Sequence, residues 1–400
     1  MNRPYLKPIS AAVLCASMGL ATNAYAAAYV QCPGDVDGDA IINGSNPAYA
    51  NVKCMHLTAG DGFVKMADGR LQYVFSFSDV TGTPEAQAID AGTLAASAPA
   101  PTIVLDEGDE FYLTLTNVGM IMRPDLADPH TVHFHGFPNA SDIFDGVPDA
   151  TVSINMGASF TYYYNLVHPG TYMYHCHVEA AEHMQMGMLG NLYVHPAQDG
   201  VSFEYPVGSG RTYNKFVYND GDGSTGYDKE YPIQLGSFDP EFHDSSMNVQ
   251  PLPFANMKDT YAMLNGRGYP DTINPGSLVP PDETGGKVTQ QVSSLVTVTA
   301  GEKILLRVSN LNITNTYTLA VNGLTMKVVG LGARMLRGPD GKDLYYDTNS
   351  VTLGGGESAD VIIDTAGVAP GTYFLYTSNL NYLSNNDEDF GGMMTEIRIN

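Results

Sequence analysis

The sequence predicts an all-β protein: two Greek-key β-sandwich domains behind an N-terminal extension that carries a disulfide. Three observations point there. Glycine (42) and proline (24) are frequent among the 400 residues, which suits many short strands and turns better than long helices. Short alternating or aromatic-rich runs recur from residue 70 to the end. The chain also repeats itself, because Thr297–Val308 (TVTAGEKILLRV) mirrors Ile103–Leu115 (IVLDEGDEFYLTL) and Gly371-Thr-Tyr373 mirrors Gly170-Thr-Tyr172.

Taken in order, residues 1–26 read as a cleavable secretory signal. Arg3 and Lys7 precede an apolar run from Ile9 to Ala21, and Ala24-Tyr25-Ala26 offers a small-residue cleavage site. Cys15 would leave with it. No later run is long enough to span a bilayer, so a periplasmic or secreted home is expected. Residues 27–69 form a polar, Gly-rich extension in which Cys32 and Cys54 should pair under oxidising conditions. Such a loop closure is worth roughly 3 kcal/mol. Within it, Asp35, Asp37, Asp39, Asn43 and Asn46 place oxygen side chains at positions 1, 3, 5, 9 and 12, as a calcium-binding loop does. Ala40 stands where glycine is expected and Asn46 where a bidentate acid is expected, so an acidic turn held by the disulfide is the competing reading.

The first sandwich is expected over 70–198, with strands at Leu71–Phe77, Phe111–Leu115, Phe160–Tyr164, Thr171–Tyr174 and Asn191–Val194. Residues 199–230, rich in Gly, Asp, Ser and Tyr, read as a linker, and 231–400 as the second sandwich. The formal net charge is −24, which excludes nucleic acid as a partner because nothing offsets phosphate repulsion. It suits a soluble exported protein and would favour a cationic or basic redox partner.

Seven of the ten histidines lie between residues 130 and 183. Six fall into two clusters: His130-Thr-Val-His133-Phe-His135-Gly136, and His175-Cys176-His177 followed by His183 and Met188. Residues two apart on a strand share a face, so His133 and His135 point one way. His175 and His177 likewise share a face while Cys176, the one cysteine left unpaired, points to the opposite one. One strand can therefore offer a thiolate to one metal and two imidazoles to another. A thiolate, two imidazoles and a weak thioether form the blue-copper ligand set, and His130, Cys176, His183 and Met188 supply it. Met186 is an alternative axial ligand. Zinc also takes Cys and His, but leaves the methionine without a role. His168, His195, His56 and His243 lack partners at ligand spacing and read as turn or packing residues.

HTVHFHG and HCHVEAAEHMQMGM resemble the paired histidine motifs of the multicopper oxidases, and Asp145–His175 resembles the family's connecting strands. The resemblance spans roughly 70–400, with strong motifs in the first domain only. It implies two cupredoxin-like domains and an oxidoreductase that takes electrons at a type 1 copper and passes them to a histidine-bound copper site, reducing O₂. It gives His130, Cys176, His183 and Met188 to type 1 copper, with Cys176 and His183 as the electron-transfer residues of catalysis. His133 would take the type 2 position, and His135, His175 and His177 the type 3 pair. In relatives the ring edge of the residue matching His183 is exposed to the electron donor, whether a small molecule, a metal ion or a redox protein. Glu179, Glu182, Asp142 and Asp149 lie near these motifs, where they could guide a cationic donor or equally form a solvated rim.

The family's trinuclear cluster takes eight histidines, four from each of two domains. No His or Cys follows His243, and Tyr376-Thr377-Ser378 stands where His175-Cys176-His177 stands in the first domain. The second domain is thus degenerate. The same absence counts against nitrite reduction. A homo-oligomer sharing a cluster between two first domains would restore eight imidazoles; an electron carrier without O₂ chemistry is the other reading.

Overall fold

The computed structural model describes residues 28–137 and 140–400; the expected signal segment lies outside the described residues. The first sandwich packs a sheet in the order β2-β1-β4-β6 against one in the order β3-β8-β7-β5. Its strands are β1 (Val52–Lys65), β2 (Leu71–Asp79), β3 (Ile103–Asp106), β4 (Glu110–Gly119), β5 (His133–His135), β6 (Ser159–Asn165), β7 (Gly170–His175) and β8 (Leu189–His195). Two short helices accompany them, α1 (Glu85–Gly92) and α2 (Ala180–Gln185). The core is aromatic: Phe75, Phe77, Phe111, Tyr162, Tyr164, Tyr172 and Tyr174 are all buried between the sheets. Each such side chain contributes about 1.5–3 kcal/mol by leaving water.

The sandwich reaches further back than residue 70. Strand β1 runs parallel to β4 and antiparallel to β2, so the second half of the extension is a central strand of the sheet. The Cys32–Cys54 disulfide is formed and ties the remaining extension to that strand. Residues 199–230, expected as a linker, are folded. They form the hairpin β9 (Phe203–Glu204) and β10 (Thr212–Tyr213), and bury Val217, Tyr218 and Tyr227 against Leu305, Val329 and Ile362.

The second sandwich contains β11 (Lys229–Phe238), helix α3 (Pro240–Met247), β12 (Tyr261–Leu264), β13 (Val296–Val298), β14 (Lys303–Asn310), β15 (Tyr317–Val321) and β16 (Met326–Leu331). It continues with β17 (Arg334–Met335), β18 (Tyr346–Thr348), β19 (Ser350–Leu353), β20 (Glu357–Asp364), β21 (Gly371–Thr377) and β22 (Met394–Ile399). The orders β12-β11-β14-β20 and β13-β22-β21-β15 repeat those of the first sandwich strand for strand. The register repeats too. His133 faces His175 and Phe134 faces Tyr174 across β5 and β7, as Ala320 faces Tyr376 and Val321 faces Leu375 across β15 and β21.

Buried polar groups join the two sandwiches. Arg307 on β14 has no exposed surface, and donates through Nε to Glu230 at 2.6 Å. It approaches Asp360 at 3.6 Å and lies over the Tyr193 ring at 5.1 Å. Thr171 on β7 donates to Asp360 at 2.5 Å, and Ser309 on β14 donates to Asn191 on β8 at 2.7 Å. His195, read from the sequence as structural, bridges to Glu230 at 2.8 Å. Among the described residues no helix is long and apolar enough to cross a membrane.

Candidate metal centre

Cys176 follows β7 directly, so the pleat that aims His175 to one side aims the thiol into the core. There, Cys176 Sγ lies 3.2 Å from His183 Nδ1 and 3.7 Å from His130 Nδ1. All three residues are fully buried. His130 is held by paired main-chain bonds to Ile154 (3.0 and 2.9 Å), and His183 by α2, whose preceding N-cap residue Glu179 takes a left-handed backbone (φ 45°). Met188 is buried, and its main chain is pinned to both ligand residues: its carbonyl accepts from Cys176 N (3.2 Å) and its N–H donates to the His183 carbonyl (2.9 Å). The Met186 carbonyl instead accepts from Phe75 N on β2 at 3.0 Å.

Electrostatics within this pocket are uneven. Burial alone would lower the His183 imidazolium, but the Cys176 thiolate and Asp128 outweigh it and raise the value to about 10. His130 lies well below the usual imidazole range, first through burial and then through the charge of His183. Nε2 of each ring is buried without a hydrogen-bond partner.

Four imidazoles gather on the opposite face. The ring of His133 lies 5.5 Å from that of His135, 5.4 Å from His175 and 5.1 Å from His177. His133 Nδ1 donates to the Asp145 carbonyl (2.6 Å), His175 Nδ1 donates to the Cys176 carbonyl (2.8 Å), and His135 Nε2 lies 2.9 Å from His175 Nε2. The Asp145 contact depends on Gly146, whose φ is +78° and where a Cβ would fall 2.0 Å from the Val132 carbonyl oxygen. His175 is pushed down to about 3, chiefly by burial, so its ring is neutral and able to ligate. His135 is lowered for the same reason, with the charge of His133 adding to it. His135, His175 and His177 border a cavity of about 490 Å³ whose far wall is Asn312–Thr316 and Gly355–Gly356 of the second sandwich.

Two family profiles, both described as multicopper oxidase, match residues 78–199 and 241–397. The chain belongs to the multicopper oxidase family. Its fold agrees with a blue copper oxidase from Nitrosomonas europaea (TM-score 0.63, 22% identity, covering 87% of this chain and 86% of that one). A copper nitrite reductase from Nitrosomonas europaea also aligns (TM-score 0.57, 17% identity, covering 87% and 94%). Multicopper oxidase MmcO of Mycobacterium tuberculosis is 26% identical over 295 residues, which is 72% of this chain and 52% of the relative. Laccase-5 of Arabidopsis thaliana is 26% identical over 302 residues, 74% of this chain and 43% of the relative. The chain spans about half the length of the curated relatives it matches.

Membership of a multicopper oxidase family implies copper, and the donor chemistry fits it. A buried thiol meets two imidazole nitrogens in one dry pocket, with ligand atoms mutually within 4.8 Å, and His133, His135 and His175 meet the same criterion on the other face. One expectation is corrected: the His183 ring edge is not exposed. Its Nε2 lies 3.8 Å from Asp128 Oδ2, and a Glu179 carboxylate oxygen gathers with them. Asp128 escaped sequence reasoning, because its contact is with His183, far along the chain. Glu182 is half-buried, with its carboxyl raised chiefly by burial, while Asp142 and Asp149 are exposed.

The three aspartates of the acidic loop also gather, with oxygens of Asp35, Asp37 and Asp39 mutually within 4.8 Å. Asp35 accepts from the amides of Asp37, Gly38 and Ala40, and Ala40 takes φ +66° at the position where glycine was expected. Asn43 accepts from Val36 N, and Asn46 caps the short helix Pro47–Tyr49.

Proposed function

We propose that this chain is a copper-dependent oxidoreductase working outside the cytoplasm. In this reading His130, Cys176, His183 and Met188 hold type 1 copper, and His133, His135, His175 and His177 hold further copper in the type 2 and type 3 positions. The observation that carries it is the single strand end His175-Cys176-His177, which presents a thiol to one donor set and two imidazoles to the other. Copper at these sites would supply one-electron redox chemistry and an acceptor site for O₂. The chain supplies the surroundings. Full burial of Cys176, His130 and His183 excludes water from the thiolate. The covalent path from Cys176 through its own backbone reaches His175 and His177 directly. Asp128 and Glu179 lie on the donor's side of His183, and favour a small-molecule, metal-ion or basic redox-protein donor. The Cys32–Cys54 disulfide supports an oxidising compartment, periplasmic or extracellular.

A second reading is favoured by one observation. The second sandwich carries Ala320, Asn322, Tyr376 and Ser378 where the first carries His133, His135, His175 and His177. One chain therefore brings four imidazoles rather than eight, which would suffice for an electron carrier without O₂ chemistry. A homo-oligomer in which two first domains meet would restore the count. Oxygen uptake by copper-loaded protein with a one-electron donor separates these readings. Turnover that rises with protein self-association supports the shared cluster, and reduction of the blue site with no oxygen consumption supports the carrier.

A further inference from the structure

The helix that carries His183 is held from the other sandwich. Gln185, the last residue of α2, is buried and is gripped at both its main chain and its side chain. Its carbonyl faces His243 Nε2 at 3.0 Å, and His243 Nδ1 faces the Tyr73 carbonyl on β2 at 2.5 Å. A carbonyl only accepts, so the ring is the donor, through one nitrogen when neutral and through both when protonated. The Gln185 side chain meets Asp259 Oδ1 at 3.2 Å. An ionised carboxylate also only accepts, which assigns that contact to the Nε2–H of Gln185. Asp259 is itself fixed: its Oδ2 accepts from Thr314 Oγ1 at 2.5 Å, from Asn312 Nδ2 at 3.3 Å and from Ser237 Oγ. His243 stands on α3, Ser237 on β11, Asp259 just before β12, and Asn312 and Thr314 just after β14. All five belong to the second sandwich.

We infer that Gln185 is a positioning residue for the thiolate site, and that the second sandwich, which supplies no ligand there, sets the place of His183 through it. The inference rests on His130, Cys176, His183 and Met188 holding copper. The lever is short, because His183 stands two residues before Gln185 and Met188 three residues after it. The chain between Gln185 and Met188 is pinned to β2, where Phe75 N donates to the Met186 carbonyl at 3.0 Å and Ser76 Oγ to the Gly187 carbonyl at 2.9 Å. Gln185 and Asp259 are both buried, so each leaves the other unsatisfied if it is removed. A ligand set works only when its supports hold it to within about 0.5 Å, and loss of an outer-shell partner typically costs 10–100-fold in metal affinity.

Copper titrations of wild type, Gln185→Leu and Asp259→Asn, followed by visible absorption and EPR, test this. Gln185→Leu removes the amide. It should shift the blue band, alter its copper hyperfine splitting and weaken copper at the thiolate site about 10–100-fold, with the imidazole-site copper signal unchanged. Asp259→Asn keeps an oxygen that accepts from Gln185, and should retain the wild-type blue band. A wild-type blue band and copper affinity in Gln185→Leu, with only Tm lowered, overturns the inference and leaves the metal reading standing. Equal weakening of both copper signals overturns it too, as does a blue band displaced as far in Asp259→Asn as in Gln185→Leu. Wild type that gains no blue band on copper loading overturns both the inference and the metal reading. If Gln185→Leu folds poorly, Gln185→Asn, whose amide falls one methylene short of Asp259, should show the same spectral shift in smaller measure. An unshifted band there overturns the inference.

Discussion

The two sandwiches share strand order and ladder register, yet only one carries metal-ligating chemistry. At equivalent ladder positions the first places His133 opposite His175, and the second places Ala320 opposite Tyr376. The core tolerates either set because these side chains stand on the opposite face of their sheets from Phe134 and Val321, which point inward. The fold is thus a register of directions, and function is what the outward positions hold. The thiol is the exception. Cys176 points into the core, where the second sandwich has Thr377, also fully buried.

The comparison breaks most sharply at Cys176. Cys176→Ser should abolish the blue absorption completely and leave the four-imidazole site able to bind copper, as EPR would show. Loss of both signals would mean that the two sites do not form independently. Next in size is the join between the sandwiches. Arg307→Ala strands Glu230 and Asp360 against each other, and should cost about 3–5 kcal/mol, read as a lower Tm with the blue band retained. A Tm within a degree of wild type would mean that the sandwiches are stable without their shared charges.

A smaller gain tests the register itself. Ala320→His together with Tyr376→His should create a weak additional Zn²⁺ or Cu²⁺ site in the second sandwich, detected as extra metal per chain by equilibrium dialysis. No added metal would mean that shared register does not carry shared side-chain direction. The smallest effect is pH dependence. His195 is raised above its ordinary 6.5 chiefly by its bond to Glu230, so its contribution is full below that value and fades as pH climbs through the raised one. Burial would raise Glu230, but His195 and Arg307 hold it down at about 2, so its contribution is full above 4.5 and fades as pH falls from there toward 2. Thermal melts should therefore be highest between about 4.5 and 6.5 for this pair, and His195→Gln should flatten the alkaline limb.

Much of this was legible in the sequence. Glycine and proline punctuation, the internal repeat and the HxH and HCH spacings pointed to the sandwiches and to the clustering of all seven of His130, His133, His135, His175, Cys176, His177 and His183. Contacts between residues far apart in the chain were not legible. Val52–Lys65 looked like extension, yet it pairs with β2 just after it and with β4, whose Glu110 faces Val52. The partner of His195 was not legible because Glu230 belongs to the other sandwich. Asp128 carries no motif, and acquires its role only when the fold brings it against His183.

The central claim is that one strand end, His175-Cys176-His177, serves two copper sites. Copper per chain, visible absorption and EPR recorded on one sample of copper-reconstituted protein test it directly. The account predicts more than one copper per chain, with a blue thiolate signal beside a second copper signal that is not blue; about 2.5 coppers per chain would be the value for two thiolate sites and one shared three-copper cluster per dimer. One copper per chain with only the blue signal would contradict it.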